Sequence, residues 1–342
     1  MNTCLARRVM LLTTALAASP AGVHATSSIY TVTATGSGGT CTAGATDDAN
    51  CTLDAAIATA AGGDIVQFGG AAAGSVIVGN WSVSKDLTID ASPTGVTLDG
   101  NNYTAVLYID SGASVTFRRL TVQHGMGINS GGGLYMTSGN ATIDSCTFVA
   151  NNATMFGGAI SSQSGGTIQI FNSTFANNHS GLTSGAMYAG GTVVIASSTF
   201  AHNTADNNSG AMVLLGTSYL LSDIIINNSA PQDPDIENAG SLTSLGHNFI
   251  GSVGYLGYTS GPGDQVGVDP QLATTTPTDN GGPTATFDLL PGSPARSAGD
   301  CSGNASAPEI PPFGVDQRGL VRSVPCTVGA VDMTSIFYGA FE

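Results

Sequence analysis

The sequence predicts an all-β protein: a right-handed parallel β-helix with a short capping helix at its N-terminal end and an irregular cap at its C-terminal end. Three observations support this fold class. A motif recurs about every 25 residues through the middle of the chain. Within each repeat, apolar and polar residues alternate over short segments, which is the period of a β-strand. No segment of the repeats has the helical periodicity needed to cover a flat sheet.

The repeat has two halves. The first is a glycine followed by small and apolar residues, and the second is an apolar anchor residue with an asparagine three places later. Successive anchors are 27, 25 and 24 residues apart, a period that indicates stacked supersecondary units. The first half occurs at Gly132–Tyr135, Gly157–Ile160, Gly185–Tyr188 and Gly210–Val213, and the second at Phe148 with Asn151, Phe175 with Asn178, Phe200 with Asn203 and Ile224 with Asn227.

Apolar or small residues also recur two, five and seven places before each anchor. Polar residues occupy the positions between them. The alternation is interrupted between the fifth and the second position before the anchor, which indicates a corner. Gly, Asn and Ser at corners supply the positive φ values that β-branched residues resist. We therefore expect each unit to be one turn of a coil, with these residues facing inward: Val115, Phe117 and Leu120; Ala141, Ile143 and Cys146; Ile168, Ile170 and Ser173; Val193, Ile195 and Ser198.

Stacking gives the repeated asparagines a structural role. A residue at the same position of every turn forms a ladder in which amide side chains hydrogen-bond to one another. We expect such a ladder from Asn151, Asn178, Asn203 and Asn227. Cys146 falls in an inward column, so we expect a buried structural thiol there and not a nucleophile.

The start of the chain is typical of a secretory signal. Arg7 and Arg8 precede an apolar run that ends before a small-residue cleavage site near Ala25. We expect residues 1–25 to be removed and the mature protein to be secreted, extracellular or on the outer cell surface. No later stretch reaches 18 consecutive apolar residues, so no transmembrane segment is expected in the mature chain.

Four of the remaining cysteines bracket two polar loops. In an exported chain, Cys41 with Cys51 and Cys301 with Cys326 are expected to form local disulfides. After the predicted signal, we divide the chain into an N-terminal strand, loop and cap (26–75), coils (76–228) and a last irregular turn with a closing region (229–342). Helix formers from Leu53 to Ala61 predict a short helix that covers the open end of the first turn.

These motifs resemble known families. The glycine-rich half and the Phe-x-x-Asn half of the repeat resemble repeats of bacterial polymorphic outer-membrane proteins, and the wider pattern is similar to exported bacterial β-helix proteins of the pectin-lyase-like superfamily. Cys51–Ile57 resembles the Cys-Ser-Leu-Arg-Glu-Ala motif that opens many of them, with Thr52 and Asp54 in place of Ser and Arg. The resemblance implies more about the fold than about the function, because most members of these families have no assigned activity.

The C-terminal region resembles the closing region called the choice-of-anchor Q domain. Its motifs occur in the same order, although Arg296-Ser297 replaces the usual Ile-Asp pair. Prolines are frequent here and make long strands unfavourable, so we expect residues 229–342 to wrap the far end of the coil. The matching motifs are Asp279–Thr284, Leu290–Ala295, Asp316–Gly319 and Cys326–Ala330.

Charge narrows the choice of partners. The formal net charge is −15, and loss of two arginines with the signal takes it to −17. The few remaining cations form no basic track, which excludes nucleic acid as a partner and disfavours direct binding of anionic polysaccharide unless a metal ion bridges the two. Extracellular carbohydrate and other surface proteins are the expected partners. No cofactor is expected; calcium would serve enzymes of this superfamily, but no calcium-binding repeat is present.

Few residues are candidates for chemistry. Arg118 and Asp144 occupy equivalent positions of successive turns, which predicts an ion pair about 4.8 Å apart along the coil. We interpret it as a weak surface pair in preference to a catalytic one. His124, His179 and His202 lie at or near one corner, too far apart to share a metal. No nucleophile elbow, zinc motif or phosphate loop is present.

The sequence therefore predicts a surface β-helix protein with a structural, adhesive or carbohydrate-contacting role and no visible catalytic site. The alternative is a polysaccharide lyase or glycoside hydrolase that acts on an extracellular polysaccharide. An enzyme would show two acids, or an acid and an arginine, converging in a groove.

Overall fold

The computed structural model describes residues 27–163, 165–254, 258–304 and 310–333, so the predicted signal at 1–25 lies outside the described part. The chain winds as a right-handed coil of parallel strands. Four sheets run along the coil axis, and each successive turn adds one strand to a sheet. This confirms the predicted fold class. No helix among the described residues is long and apolar enough to cross a membrane.

Sheets I and II carry most of the core, and both contain nine strands. Every strand pairs in parallel with its equivalent in the neighbouring turn. Sheet I consists of Ile29–Val32, Asp64–Phe68, Leu87–Asp90, Ser114–Arg118, Asn140–Asp144, Thr167–Phe171, Thr192–Ala196, Thr217–Leu221 and Ser241–Gly246. Sheet II consists of Val76–Val78, Val96–Asp99, Leu120–Gln123, Thr147–Val149, Thr174–Ala176, Thr199–Ala201, Ile224–Ile226, Phe249–Ile250 and Gln265–Val266.

Sheets III and IV complete each turn. Sheet III is a short ribbon of four two-residue strands, and sheet IV has seven strands. Sheet III consists of Met126–Gly127, Asn152–Ala153, His179–Ser180 and Thr204–Ala205. Sheet IV consists of Trp81–Val83, Leu107–Ile109, Leu134–Met136, Ile160–Ser162, Met187–Ala189, Met212–Leu214 and Ile236–Asn238.

The anchors stack inside the coil as predicted. Phe148 pairs with Phe175, and Phe175 with Phe200. Their rings lie nearly parallel, with centroids 5.0 and 4.4 Å apart. All three are completely buried, and each contributes about 1.5–3 kcal/mol through burial of its apolar surface. Cys146 lies in the same interior and is a free, buried thiol.

The corners of the coil adopt left-handed backbone conformation. Two corner columns have φ values between 46° and 60° in successive turns. Asn and Ser predominate there because they tolerate this conformation better than β-branched residues do. The corner after sheet I is formed by Arg119, Ser145, Asn172, Ser197, Ser222 and His247, and the corner after sheet II by His124, Ala150, Asn177, His202 and Asn227.

The glycines of the repeat allow neighbouring turns to approach closely. Gly132, Gly158, Gly185 and Gly210 are equivalent in successive turns, two residues before the first residue of each sheet IV strand. A Cβ atom on Gly158 would overlap the carbonyl oxygens of Gly185 and His179. The absence of a side chain therefore explains why glycine recurs at this column.

The asparagine ladder is present, but its last predicted member is wrong. Asn151, Asn178 and Asn203 are completely buried, and each side-chain nitrogen donates to the amide oxygen one turn further on, at 2.8–3.1 Å. The fourth member is Asn228, whereas Asn227 is an exposed corner residue. The cause is register: Phe200 pairs with Ile225 and not with Ile224, so the whole turn is displaced by one residue.

The N-terminal cap is a helix at Leu53–Thr59, as predicted, followed by a single 3₁₀ turn at Gly70–Ala72. Thr52 is the N-cap, and its hydroxyl accepts a hydrogen bond from the Ala55 amide. The helix packs on the first strands of sheets I and IV, and Trp81 is buried against it. A disulfide joins Cys41 to Cys51 in the preceding loop, which confirms that prediction.

We expected the closing region to wrap the far end of the coil, and this expectation was wrong. The described residues 229–254 and 258–267 extend the coil, but the described residues 268–304 and 310–333 lie against the outer faces of sheet II and of the neighbouring part of sheet I. Gln317 is completely buried and bonds four groups: the hydroxyls of Thr147, Thr174 and Thr284 and the carbonyl of Cys146. The second predicted disulfide, between Cys301 and Cys326, lies in this region.

Burial of apolar surface explains this position. The outward residues of sheet II are polar in early turns, such as Thr121 and Gln123, but apolar in later ones, such as Ile224 and Ile226. Leu289 and Val328 of the closing region pack against these later residues. The closing region therefore lies where an exposed sheet face needs an apolar cover.

Candidate functional site

The predicted pair forms at the end of sheet I. Arg118 Nε lies 3.5 Å from Asp144 Oδ2, and their side chains are 46% and 33% exposed. The column continues backward to Asp90 and forward to Phe171. Asp90, Arg118 and Asp144 therefore form an alternating charged row that stops where Phe313 of the closing region covers Phe171.

Arg119 adds a second guanidinium to this row. It hydrogen-bonds the Ser92 hydroxyl and lies 3.9 Å from Asp90. Arg119 and Asp144 also line a groove of about 200 Å³ against residues 311–315. We call Asp90, Arg118, Arg119 and Asp144 the charged corner. Two acids and two arginines meet there, and each carboxylate has a guanidinium partner.

The histidines have separate partners. His124 Nδ1 lies 3.0 Å from Asp99 Oδ2, and Gln123 also donates to Asp99. Burial alone would raise the pKa of Asp99, but the hydrogen bonds from Gln123, His124 and the Asn101 amide hold it below its ordinary value. His179 lies 3.8 Å from Asp206.

His202 packs against Phe287, and burial lowers its pKa. Within the described ranges, no group of three His, Cys, Asp or Glu side chains is placed to hold a metal ion.

A cleft of about 510 Å³ is lined by residues 299–302, 312–314 and 321–326 of the closing region, with His247 of the coil at its edge. Its walls are mainly apolar, with Phe313 and the Cys301–Cys326 disulfide among them. The basic groups at its edge are engaged: His247 Nδ1 donates to the Ala298 carbonyl, and the Arg322 guanidinium donates to Asn172 Oδ1 and to backbone carbonyls. We therefore do not regard this cleft as a catalytic site.

The outward face of sheet IV carries a row of aromatic residues. Tyr108 pairs with Tyr135 in the next turn, and Tyr135 with Ser161, which pairs with Tyr188. The rings of Tyr108 and Tyr135 meet edge to face at 6.3 Å. Phe156 enters the row from the loop before sheet IV, with its ring centroid 4.9 Å from that of Tyr188. We call Tyr108, Tyr135, Phe156 and Tyr188 the aromatic wall.

The aromatic wall is fixed in place yet open to solvent. Its four side chains are half-buried, whereas Ser161 beneath them is completely buried. The loop Gly127–Ser130 borders Tyr108 and Tyr135 and encloses a hollow of about 170 Å³ with them. Ile128 in this loop is 78% exposed. Half-buried rings on a rigid sheet beside a polar loop are typical of a surface that binds ligands by stacking.

Sequence reasoning did not select these residues. Tyr135 and Tyr188 were visible as the last residues of two glycine-rich motifs, and their alternation with buried Leu134 and Met187 marks them as outward-facing. Tyr108 belongs to a turn without that motif. Phe156 lies in a loop, so only the folded chain brings it beside Tyr188.

The charged corner and the aromatic wall are held by strands of one continuous coil. Residues 84–249 match the family model described as a right handed beta helix region. Comparisons with curated proteins and with solved structures give no match. The stacked parallel sheets and this match together identify the chain as a right-handed parallel β-helix protein.

Proposed function

We propose that this is an exported protein of the cell surface or extracellular space that contacts carbohydrate through the aromatic wall. The observation that carries the proposal is the row of solvent-facing rings at Tyr108, Tyr135 and Tyr188 on one sheet. Aromatic rings offer a flat apolar face to the C–H faces of sugars, and their rigidity keeps the entropy cost of binding low.

Export is supported by two features. The chain contains two disulfides, which persist in oxidising compartments. The predicted signal at 1–25 would direct the chain there. The resemblance of the closing region to the choice-of-anchor Q domain supports retention at the outer surface, as does the resemblance of the repeat to polymorphic outer-membrane proteins.

Affinity electrophoresis tests the binding proposal. The mature protein is run through native gels with and without soluble polysaccharide, beside Tyr108→Ala, Tyr135→Ala and Tyr188→Ala. We expect polysaccharide to retard the mature protein and each variant to be retarded less. Val324→Ala is the matched control, because Val324 is 97% exposed but lies in the closing region. Equal migration of all proteins in every gel contradicts the proposal.

The charged corner favours a second candidate function, a polysaccharide lyase or glycoside hydrolase. Asp144 and Arg119 line a groove, and Asp90 is within reach of the same guanidinium. Such a groove could supply the acid and base groups that cleave a glycosidic bond.

The test for this second function is incubation of the protein with uronic-acid and neutral glycans, with and without calcium. New unsaturated or reducing ends that disappear in Asp144→Asn would establish an enzyme. No new ends with any glycan would remove this candidate function.

A further inference from the structure

We propose that the ligand of the aromatic wall is a neutral polysaccharide that lies along the coil axis, in preference to an acidic one. This inference rests on the carbohydrate-contacting role proposed above and names the chemical class of its ligand. It is carried by the juxtaposition of Tyr108, Tyr135 and Tyr188 in one axial row on a face to which the described residues contribute no lysine or arginine.

The cations are all elsewhere. Outside the predicted signal the chain has six lysines and arginines. Lys85 lines a hollow with Ser82, the residue that pairs with Tyr108 one turn earlier, but its ammonium group donates to the carbonyls of Ala58 and Ala60 at the capping helix. Arg118 and Arg119 belong to the charged corner, between sheets I and II. The other three, Arg296, Arg318 and Arg322, lie in the closing region along sheet II.

The charges near the wall are negative instead. Glu237 stands in the same outward column as Tyr188, two turns further on. Asp206 lies in the loop before sheet IV, and its side chain is 67% exposed. Asp233 adds a further carboxylate near Glu237: burial raises the pKa of Glu237, and the charge of Asp233 raises it further. A polyanion would be repelled there by the protein's own charge.

A bridging cation would be the way to overcome this repulsion, but the described residues offer it no site. No three His, Cys, Asp or Glu side chains in that part of the chain are grouped to hold a metal ion. The wall instead provides rings for stacking and, at its rim, the exposed side-chain amide of Asn129. These groups match a ligand that has hydroxyls and C–H faces but no charge.

The axial direction follows from the register. Tyr108, Tyr135 and Tyr188 occupy positions one, two and four of four consecutive turns, which spans roughly 14 Å at the spacing of parallel strands. Phe156 fills the interval before Tyr188. A row of this length is suited to a short stretch of an extended glycan and exceeds what a single sugar covers.

The test compares neutral and acidic probes on the full mature protein. Retardation is measured in native gels that contain a neutral soluble glucan, a neutral mannan, polygalacturonate or alginate. We expect at least one neutral polymer to bind and both acidic ones to bind at least tenfold more weakly at low salt. For the neutral polymer, Tyr135→Ala should weaken binding roughly 2- to 10-fold, the range of one aromatic contact.

Two further variants distinguish an effect on the aromatic wall from a general effect on the fold. Tyr135→Phe keeps the ring and should retain binding, whereas Val324→Ala leaves the wall untouched and should also bind normally. Binding of oligosaccharides from the neutral polymer should strengthen with chain length, and Tyr188→Ala should remove the gain of the longer ones only.

The outcomes distinguish the two proposals. Wall-dependent binding of an acidic polymer as tight as that of a neutral one overturns this inference and leaves carbohydrate contact standing. Absence of length dependence overturns the axial placement. Absence of any wall-dependent binding by the four polymers overturns both proposals.

Discussion

The side-chain amide of Asn228 donates a 2.8 Å hydrogen bond to Oδ1 of Asp235, and this bond ends the asparagine ladder. In the next turn Ile250 pairs with Ile225, and the residue three places later is Val253, which has no side-chain amide oxygen to offer. Asp235 replaces it and also accepts from the backbone and hydroxyl of Ser252 through Oδ2. A carboxylate can accept several donors at once, which suits it to terminate a ladder.

A second ladder runs along the corner between sheets I and II. Each backbone N–H donates to a side-chain oxygen of the next turn, and this ladder also ends on a carboxylate. The two ladders satisfy buried groups that would otherwise be costly. The acceptors in order are Ser173, Ser198, Asp223, Asn248 and Asp264.

Substitutions of Asn227 and Asn228, which are adjacent in the chain, test the register of the asparagine ladder. Asn228→Ala removes buried hydrogen bonds to Asn203, Asp235 and the Phe200 carbonyl, so we expect a loss of about 2–4 kcal/mol in the free energy of unfolding. Asn227→Ala changes an exposed corner residue with φ of 59°, and should cost about 1 kcal/mol. Urea unfolding followed by circular dichroism measures both, and a larger loss for Asn227→Ala would contradict the register.

Asp223 predicts a dependence of stability on pH. It is completely buried, and burial raises its pKa well above the ordinary value despite hydrogen bonds from the Ser198 and Leu221 amides. A raised pKa in the folded state means that its contribution is full below about pH 4 and is lost as pH rises through the folded-state pKa. We expect Asp223→Asn to flatten the decline of Tm as pH rises above about 4.

The control for this measurement is Asp47→Asn, because Asp47 is exposed in the loop beside the first disulfide. Its curve of Tm against pH should run parallel to that of the unmodified protein. If the Asp223→Asn curve is also parallel, Asp223 does not titrate as we infer.

Cysteine mapping tests the redox state of the exported protein. Peptide mapping under non-reducing conditions should join Cys41 to Cys51 and Cys301 to Cys326. Cys146 should be alkylated only after unfolding, because burial raises its pKa to about 12 and leaves no accessible thiolate. Free Cys41 in the exported protein, or rapid alkylation of Cys146 in the folded one, would be inconsistent with the structure.

Gln317 tests the attachment of the closing region. Gln317→Ala leaves the buried Thr147 and Thr174 hydroxyls and the Cys146 carbonyl without this partner, and should lower the free energy of unfolding by about 2–4 kcal/mol. Limited proteolysis should then cleave the closing region around Gln317 before it cleaves the coil. Leu320→Ala, at a residue that is 40% exposed, is the matched control and should resist like the unmodified protein.

The coil itself was predictable because its determinants are local and periodic. The anchors Phe148, Phe175 and Phe200 repeat at intervals of 27 and 25 residues, and parallel stacking of similar units places them one above another. The corner residues follow from the φ values that Asn and Ser tolerate. The prediction failed by one residue at Asn227 because Ile224, Ile225 and Ile226 are all apolar, so alternation no longer marks the inward one.

That apolar run has a tertiary cause. Ile225 faces the core, whereas Ile224 and Ile226 face the closing region, so both sides of the strand are covered. The sequence signal of a doubly covered strand is a continuous apolar run, which carries no information about which face is inside. The packing of the closing region against Ile224 and Ile226 also explains why this region lies beside the coil and not at its end, where we expected it.

The amino-acid sequence by itself determined the repeat, the inward columns, the capping helix and the two disulfides, because each depends on residues that are near in the chain or equivalent between turns. Only the tertiary structure decided the place of the described residues 268–304 and 310–333 and the contact of Phe156 with Tyr188. These contacts join segments that do not belong to a common repeat. They depend on which whole faces of the fold are buried, and no local sequence pattern predicts that burial.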